Sequence, residues 1–196
     1  MTLLVRTAVS LFVSLVLAGC VSTLPQGIKD DLAAAPKGTV TVVFFTDFQC
    51  PHCRRTHAAL APLVKERAGR VRVVLRHVPL RMHPDARPAA RAAICAEALA
   101  KPEVAEAFVH ALFGTTDLGE ASIAATAAEH GLDAAQLHRC TEAPETDARI
   151  DRDRALFVEA GGEGVPLLYV ERTRLDGAQK RESLEAAIDG ALGVHE

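Results

Sequence analysis

Two cysteines three residues apart, in Cys50-Pro51-His52-Cys53, are the residues of this chain best suited to chemistry. A run of β-branched and aromatic residues ends just before them, and a helical pattern begins just after. A helix N-terminus presents unpaired N–H groups and a partial positive charge, and both stabilise a thiolate. Pro51 suits the first helical turn, and His52 adds a ring that can carry positive charge near the sulfur. Cys53 falls on the same helix face, within reach of Cys50 for a small disulfide ring. The expected product is an acidic Cys50, a good leaving group, in an easily reduced disulfide.

Other uses of the motif are weighed on spacing. Zinc would need a second pair of ligands, and no second CxxC exists; His52 or His57 could supply nitrogen, so a zinc or copper site stays open as an alternative. No metal ligand set is assigned. C-type haem needs His after the second cysteine, where Arg54 stands. A purely structural disulfide across one helical turn would be unusual.

The elements that must position the motif follow from periodicity. Residues 39–45 read as a buried central strand and 52–68 as a helix interrupted by Pro62. Residues 71–75 form a second strand. Between 84 and 160 the signals are helical throughout, over 85–100, 102–113, 122–130, 133–141 and 145–160. Pro102 suits a helix start, Gly131 a stop, and Asp133 with Gln136 a capping box. Strand returns at 167–170, with an edge strand at 172–175, and a helix closes the chain at 183–192. The expected fold class is α/β with an inserted α-helical sub-domain.

The chain has 196 residues, net charge −3 and 4% aromatic residues, which gives no case for a nucleic-acid partner. Residues 1–19 read as a signal peptide: Arg6, an apolar stretch too short to span a membrane, and Leu17-Ala18-Gly19-Cys20, which resembles the bacterial lipobox. Cys20 is then the lipidation site and lipid anchor, 20–37 a tether with room for one turn of helix near Ile28–Ala34, and 38–196 the domain. An ordinary secretory signal and an uncleaved anchor are the alternatives; all three place the domain outside the cytoplasm, in the periplasm, where disulfides persist. Val21 after the cysteine points to the outer membrane under the familiar sorting rule. With Cys20 lipidated, four cysteines remain, and Cys95 and Cys140 become candidates for a structural disulfide. The alternative is two buried thiols that never meet. The Arg149–Arg154 charge run reads as a solvated helix face, Asp47 as exposed at a strand end, and the remaining histidines as surface or core.

The segment Phe-Phe-Thr-Asp-Phe-Gln-Cys-Pro-His-Cys at 44–53 resembles the active-site segment of the DsbA-like thiol:disulfide oxidoreductases, which have a thioredoxin-like fold with a helical insertion. Arg-His-Val-Pro-Leu at 76–80, His-Pro-Asp-Ala at 83–86, Gly-Val-Pro-Leu-Leu-Tyr-Val at 164–170 and Leu-Asp-Gly-Ala-Gln at 175–179 extend the likeness over roughly 38–192. The resemblance implies that Cys50 exchanges, that Cys53 resolves, and that Val165-Pro166 is a cis peptide whose backbone pairs with substrate. It implies no cofactor beyond the redox-active disulfide. The expected partners are cysteine-containing extracytoplasmic proteins and, for an oxidase, a quinone-linked membrane protein that reoxidises it. A reductase or dedicated assembly factor is the other direction. One departure stands out: the buried acid that many relatives carry six residues before the first cysteine is Phe44 here.

Overall fold

The computed structural model describes residues 24–193. The lipidation reading at Cys20 and the signal peptide lie outside them. Four strands form one sheet in the order β2-β1-β3-β4: β1 is Val40–Thr46, β2 Val71–His77, β3 Leu167–Val170 and β4 Thr173–Asp176. β1 and β2 run parallel, while β3 is antiparallel to both β1 and β4. Eight helices are described: α1 Gln26–Ala33, α2 Pro51–Glu66, α3 Ala86–Leu99, α4 Pro102–Gly114, α5 Glu120–Glu129, α6 Ala134–Thr141, α7 Pro144–Glu159 and α8 Arg181–Leu192. The order places α3–α7 between β2 and β3, as the helical run in the sequence requires.

Every residue of β1 is buried, because both sheet faces are covered. Alternate side chains go to separate cores. Val42 and Phe44 join Leu60, Leu63, Leu184 and Ile188 on the side of α2 and α8. Val43 and Phe45 join Ile28, Leu156 and Phe157 on the side of α1 and α7. In the insert, α3 buries a stripe of alanines that lets neighbouring helices approach closely. Asp133 caps α6, its carboxylate accepting from the Gln136 N–H at 2.7 Å. Pro62 lacks an N–H, yet α2 runs as a single helix from Pro51 to Glu66.

Two sequence readings change. Residues 26–33, read as a tether with one turn of helix near Ile28–Ala34, form the two-turn helix α1, and Ile28 is fully buried beneath the sheet. The tether reading failed because one apolar residue per turn suffices when a sheet waits to receive it. The 149–154 run is not a uniformly solvated face, since Asp153 is completely buried. Arg76 donates to Asp153 at 2.8 Å and, through Nε, to Asp31 at 3.0 Å, joining α7, β2 and α1. A charge pattern alone does not reveal a partner 77 residues away.

Candidate active site

Cys50 is the N-cap of α2, in extended conformation, and Pro51 opens the helix. The turn from Asp47 to Cys50 ends β1 and aims the chain into α2. Its geometry depends on Asp47, whose Oδ1 accepts from the N–H groups of Gln49 at 2.7 Å and Cys50 at 3.1 Å. Asp47 is 2% exposed. The expectation of an exposed Asp47 is therefore corrected: the side chain turns back under the turn to pair its N–H donors.

The two thiols, both free in this structure, are unequal. The Cys50 thiol is lowered from 9.0 to about 5. A hydrogen bond from the Cys53 thiol is the largest cause; burial works against it, and the N–H groups of Cys53 and His52 add to the lowering. The negative charge of Asp47 opposes it. Cys53 is completely buried, and burial pushes its thiol far up, with the hydrogen bond to Cys50 adding to the rise. So Cys50 carries the negative charge and Cys53 keeps the proton that stabilises it.

His52 acts differently from expectation. Its ring is exposed, and Nδ1 accepts from the Arg55 guanidinium at 2.9 Å. Its backbone N–H, rather than its ring, supports the Cys50 sulfur. Across the site, Val165-Pro166 is a cis peptide, and the Cys50 sulfur lies 3.9 Å from the Val165 carbonyl oxygen. Beneath lies an aromatic floor. Phe44 stacks on Phe113 with centroids 6.2 Å apart, and Phe48 packs on Phe113 at 4.5 Å and on His77 at 5.8 Å. The position where relatives carry an acid is thus apolar.

Cys95 and Cys140 stand apart, joined by a disulfide between α3 and α6. The sequence names Asp47 and His83 but not their contact: His83 Nδ1 lies 2.8 Å from Asp47 Oδ2. Nothing in a separation of 36 residues signals that contact. Among the described residues, no three or more His, Cys, Asp or Glu side chains gather where they could hold a metal ion.

A family model described as Thioredoxin matches residues 32–190. The chain belongs to the thioredoxin family. Within that family it is similar to a thioredoxin-like oxidoreductase from Silicibacter pomeroyi DSS-3, at 35% identity and a TM-score of 0.72, covering 85% of this chain and 99% of that one. The thiol-disulfide exchange protein α-DsbA2 from Wolbachia pipientis shares the fold, with a TM-score of 0.74 at 21% identity over 84% of this chain and 92% of that one. The Na(+)/H(+) antiporter NhaA of Herminiimonas arsenicoxydans is 27% identical over 83% of this chain and 25% of that protein. NhaA 3 of Salinispora tropica is 30% identical over 84% of this chain and 25% of that protein. The chain spans about a quarter of the length of these curated relatives. The α/β fold, with α3–α7 between β2 and β3, is the one shared with α-DsbA2.

Proposed function

We propose that this thioredoxin-family protein is a thiol:disulfide oxidoreductase that works as a dithiol oxidase through Cys50 and Cys53. The observation that carries the reading is the asymmetry of the pair: an acidic Cys50 at a helix N-cap, hydrogen-bonded by a buried, protonated Cys53. A substrate thiolate attacks Cys50 in the oxidised pair, the Cys50–Cys53 bond breaks, and Cys53 leaves and takes up a proton. A second substrate thiolate attacks its own sulfur of the mixed disulfide and expels Cys50 as thiolate. The substrate loses two electrons and gains a disulfide; the protein gains the two electrons. The stabilised Cys50 thiolate favours this direction, because it lowers the free energy of the reduced form.

Val165 and Pro166 would form the substrate side of the groove, with an extended peptide beside the Val165 backbone. Thiol exchange calls for no cofactor beyond the disulfide. A metal-binding role would need further donors beside the pair, and tetrahedral zinc takes four. The substrates would be cysteine-containing extracytoplasmic proteins, and Leu17-Ala18-Gly19-Cys20 supports a periplasmic lipoprotein anchored through Cys20. No helix among the described residues is long and apolar enough to cross a membrane. An oxidase must pass its electrons on, and a quinone-linked membrane protein would fill that role.

Val21 favours a second direction. It points to the outer membrane, away from an inner-membrane acceptor, and so towards a reductase or a factor dedicated to one partner's assembly. Equilibration of the Cys50–Cys53 pair against glutathione separates the two. The oxidase reading predicts a potential well above thioredoxin's, which is about −270 mV. A value at or below that overturns the oxidase direction.

A further inference from the structure

Asp47 has no free lone pair for a proton from Cys53. Its Oδ1 accepts from the N–H groups of Gln49 and Cys50, and its Oδ2 accepts from the Leu80 N–H at 2.8 Å and faces His83 Nδ1 at 2.8 Å. Facing a carboxylate, the His83 ring donates from Nδ1, its side chain 19% exposed against 0% for Asp47. Four donors occupy the acceptor positions of this carboxylate and tie it to the surrounding backbone. It also fastens the active-site turn to the loop after β2. Gln49 reinforces that seam, donating to Asp85 at 3.2 Å and accepting from the Asp85 N–H at 2.9 Å.

We propose that Asp47 and His83 form a positioning pair that sets the redox poise of the Cys50–Cys53 couple. The inference rests on the exchange reading given above. Asp47 holds the turn that delivers Cys50 to the helix N-terminus. Its charge meanwhile opposes the Cys50 thiolate, and the His83 N–H, 2.8 Å from Oδ2, is placed to offset part of that charge. The charged and titratable groups facing this pair are Cys50 and Cys53 from α2, and Asp85, held through Gln49, from the loop. The pair thus moderates an oxidant that the helix N-terminus and the Cys53 thiol would otherwise make stronger. It occupies the position of neither cysteine and replaces no proton acceptor at Phe44.

Two variants of the full chain read opposite signs. Asp47→Asn keeps an oxygen for the Gln49 and Cys50 N–H groups and removes the charge. The Cys50 thiolate absorbance near 240 nm should then titrate at lower pH, and the equilibrium constant for reduction by glutathione should rise roughly threefold or more. His83→Ala leaves the Asp47 charge less offset, so both quantities should move the other way. A merely structural role predicts lower stability with an unchanged thiolate midpoint in both variants, and that result overturns the proposal. If Asp47→Asn does not fold, the sign in His83→Ala decides alone. If the wild-type pair does not equilibrate with glutathione at all, the exchange reading fails; the Cys50 titration midpoint still decides the pair's role, because it needs no turnover.

Discussion

The Cys50 sulfur and the Val165 carbonyl oxygen, 115 residues apart in sequence, lie 3.9 Å apart in space. The pairing of β1 with β3 brings them together, with Phe45 opposite Leu167 at the end of the ladder. The reacting sulfur therefore sits beside a backbone group two residues before β3.

Because the Cys50 thiol is lowered from 9.0 to about 5, alkylation of the reduced protein by iodoacetamide should rise through about pH 5 and level off above it. The same shift affects stability. The folded thiolate's contribution is complete above about pH 9, shrinks as pH falls from 9 to 5, and is gone below about pH 5. Reduced protein should therefore gain on oxidised protein between pH 5 and pH 9, measured as the difference in urea midpoints. An alkylation profile centred near pH 9 contradicts the assignment.

The disulfide between Cys95 and Cys140 closes a chain separation of 45 residues. Replacing both cysteines with alanine should cost about 4 kcal/mol in the chain-entropy model. Thermal melts of the double variant should show the loss, with Cys50 reactivity unchanged, since the bridge lies in the insert.

Ile28 is completely buried in the core formed with Val43, Phe45 and Leu156. Ile28→Ala should cost about 2–4 kcal/mol in urea unfolding. A loss below roughly 0.5 kcal/mol, ordinary for a surface site, would return residues 26–33 to the tether.

His77 is completely buried, neither ring nitrogen has a hydrogen-bond partner among the described residues, and burial lowers its imidazole to about 4. The unfolded chain takes up a proton near 6.5 that the folded chain refuses until about pH 4. Stability should therefore fall as pH drops from 6.5 towards 4. His77→Phe, which keeps a ring against Phe48, should flatten that slope. Parallel pH profiles for the variant and the wild type would contradict it.

Much of this was legible because it is local. Pro102, Gly131 and Asp133 mark helix ends by backbone chemistry that needs no tertiary partner. The alternation Val42, Val43, Phe44, Phe45 marks a strand buried on both faces. Contacts across the chain were not legible. Asp47 looked exposed because its four donors come from Gln49, Cys50, Leu80 and His83, two of them more than 30 residues on. Asp153 looked solvated because Arg76 sits on another element. His52 looked like the cation of the site, yet Arg55 engages its ring and its N–H serves the sulfur. Types and spacing located the chemistry; burial and pairing decided which atoms support it.

The most direct test of the central claim is to incubate Cys53→Ser, with Cys50 free, with an oxidised cysteine-containing peptide and map the adducts by mass spectrometry. A stable mixed disulfide on Cys50 is predicted, with none in Cys50→Ser. Equal trapping in Cys50→Ser through Cys53, or no adduct in either variant, would contradict the assigned roles.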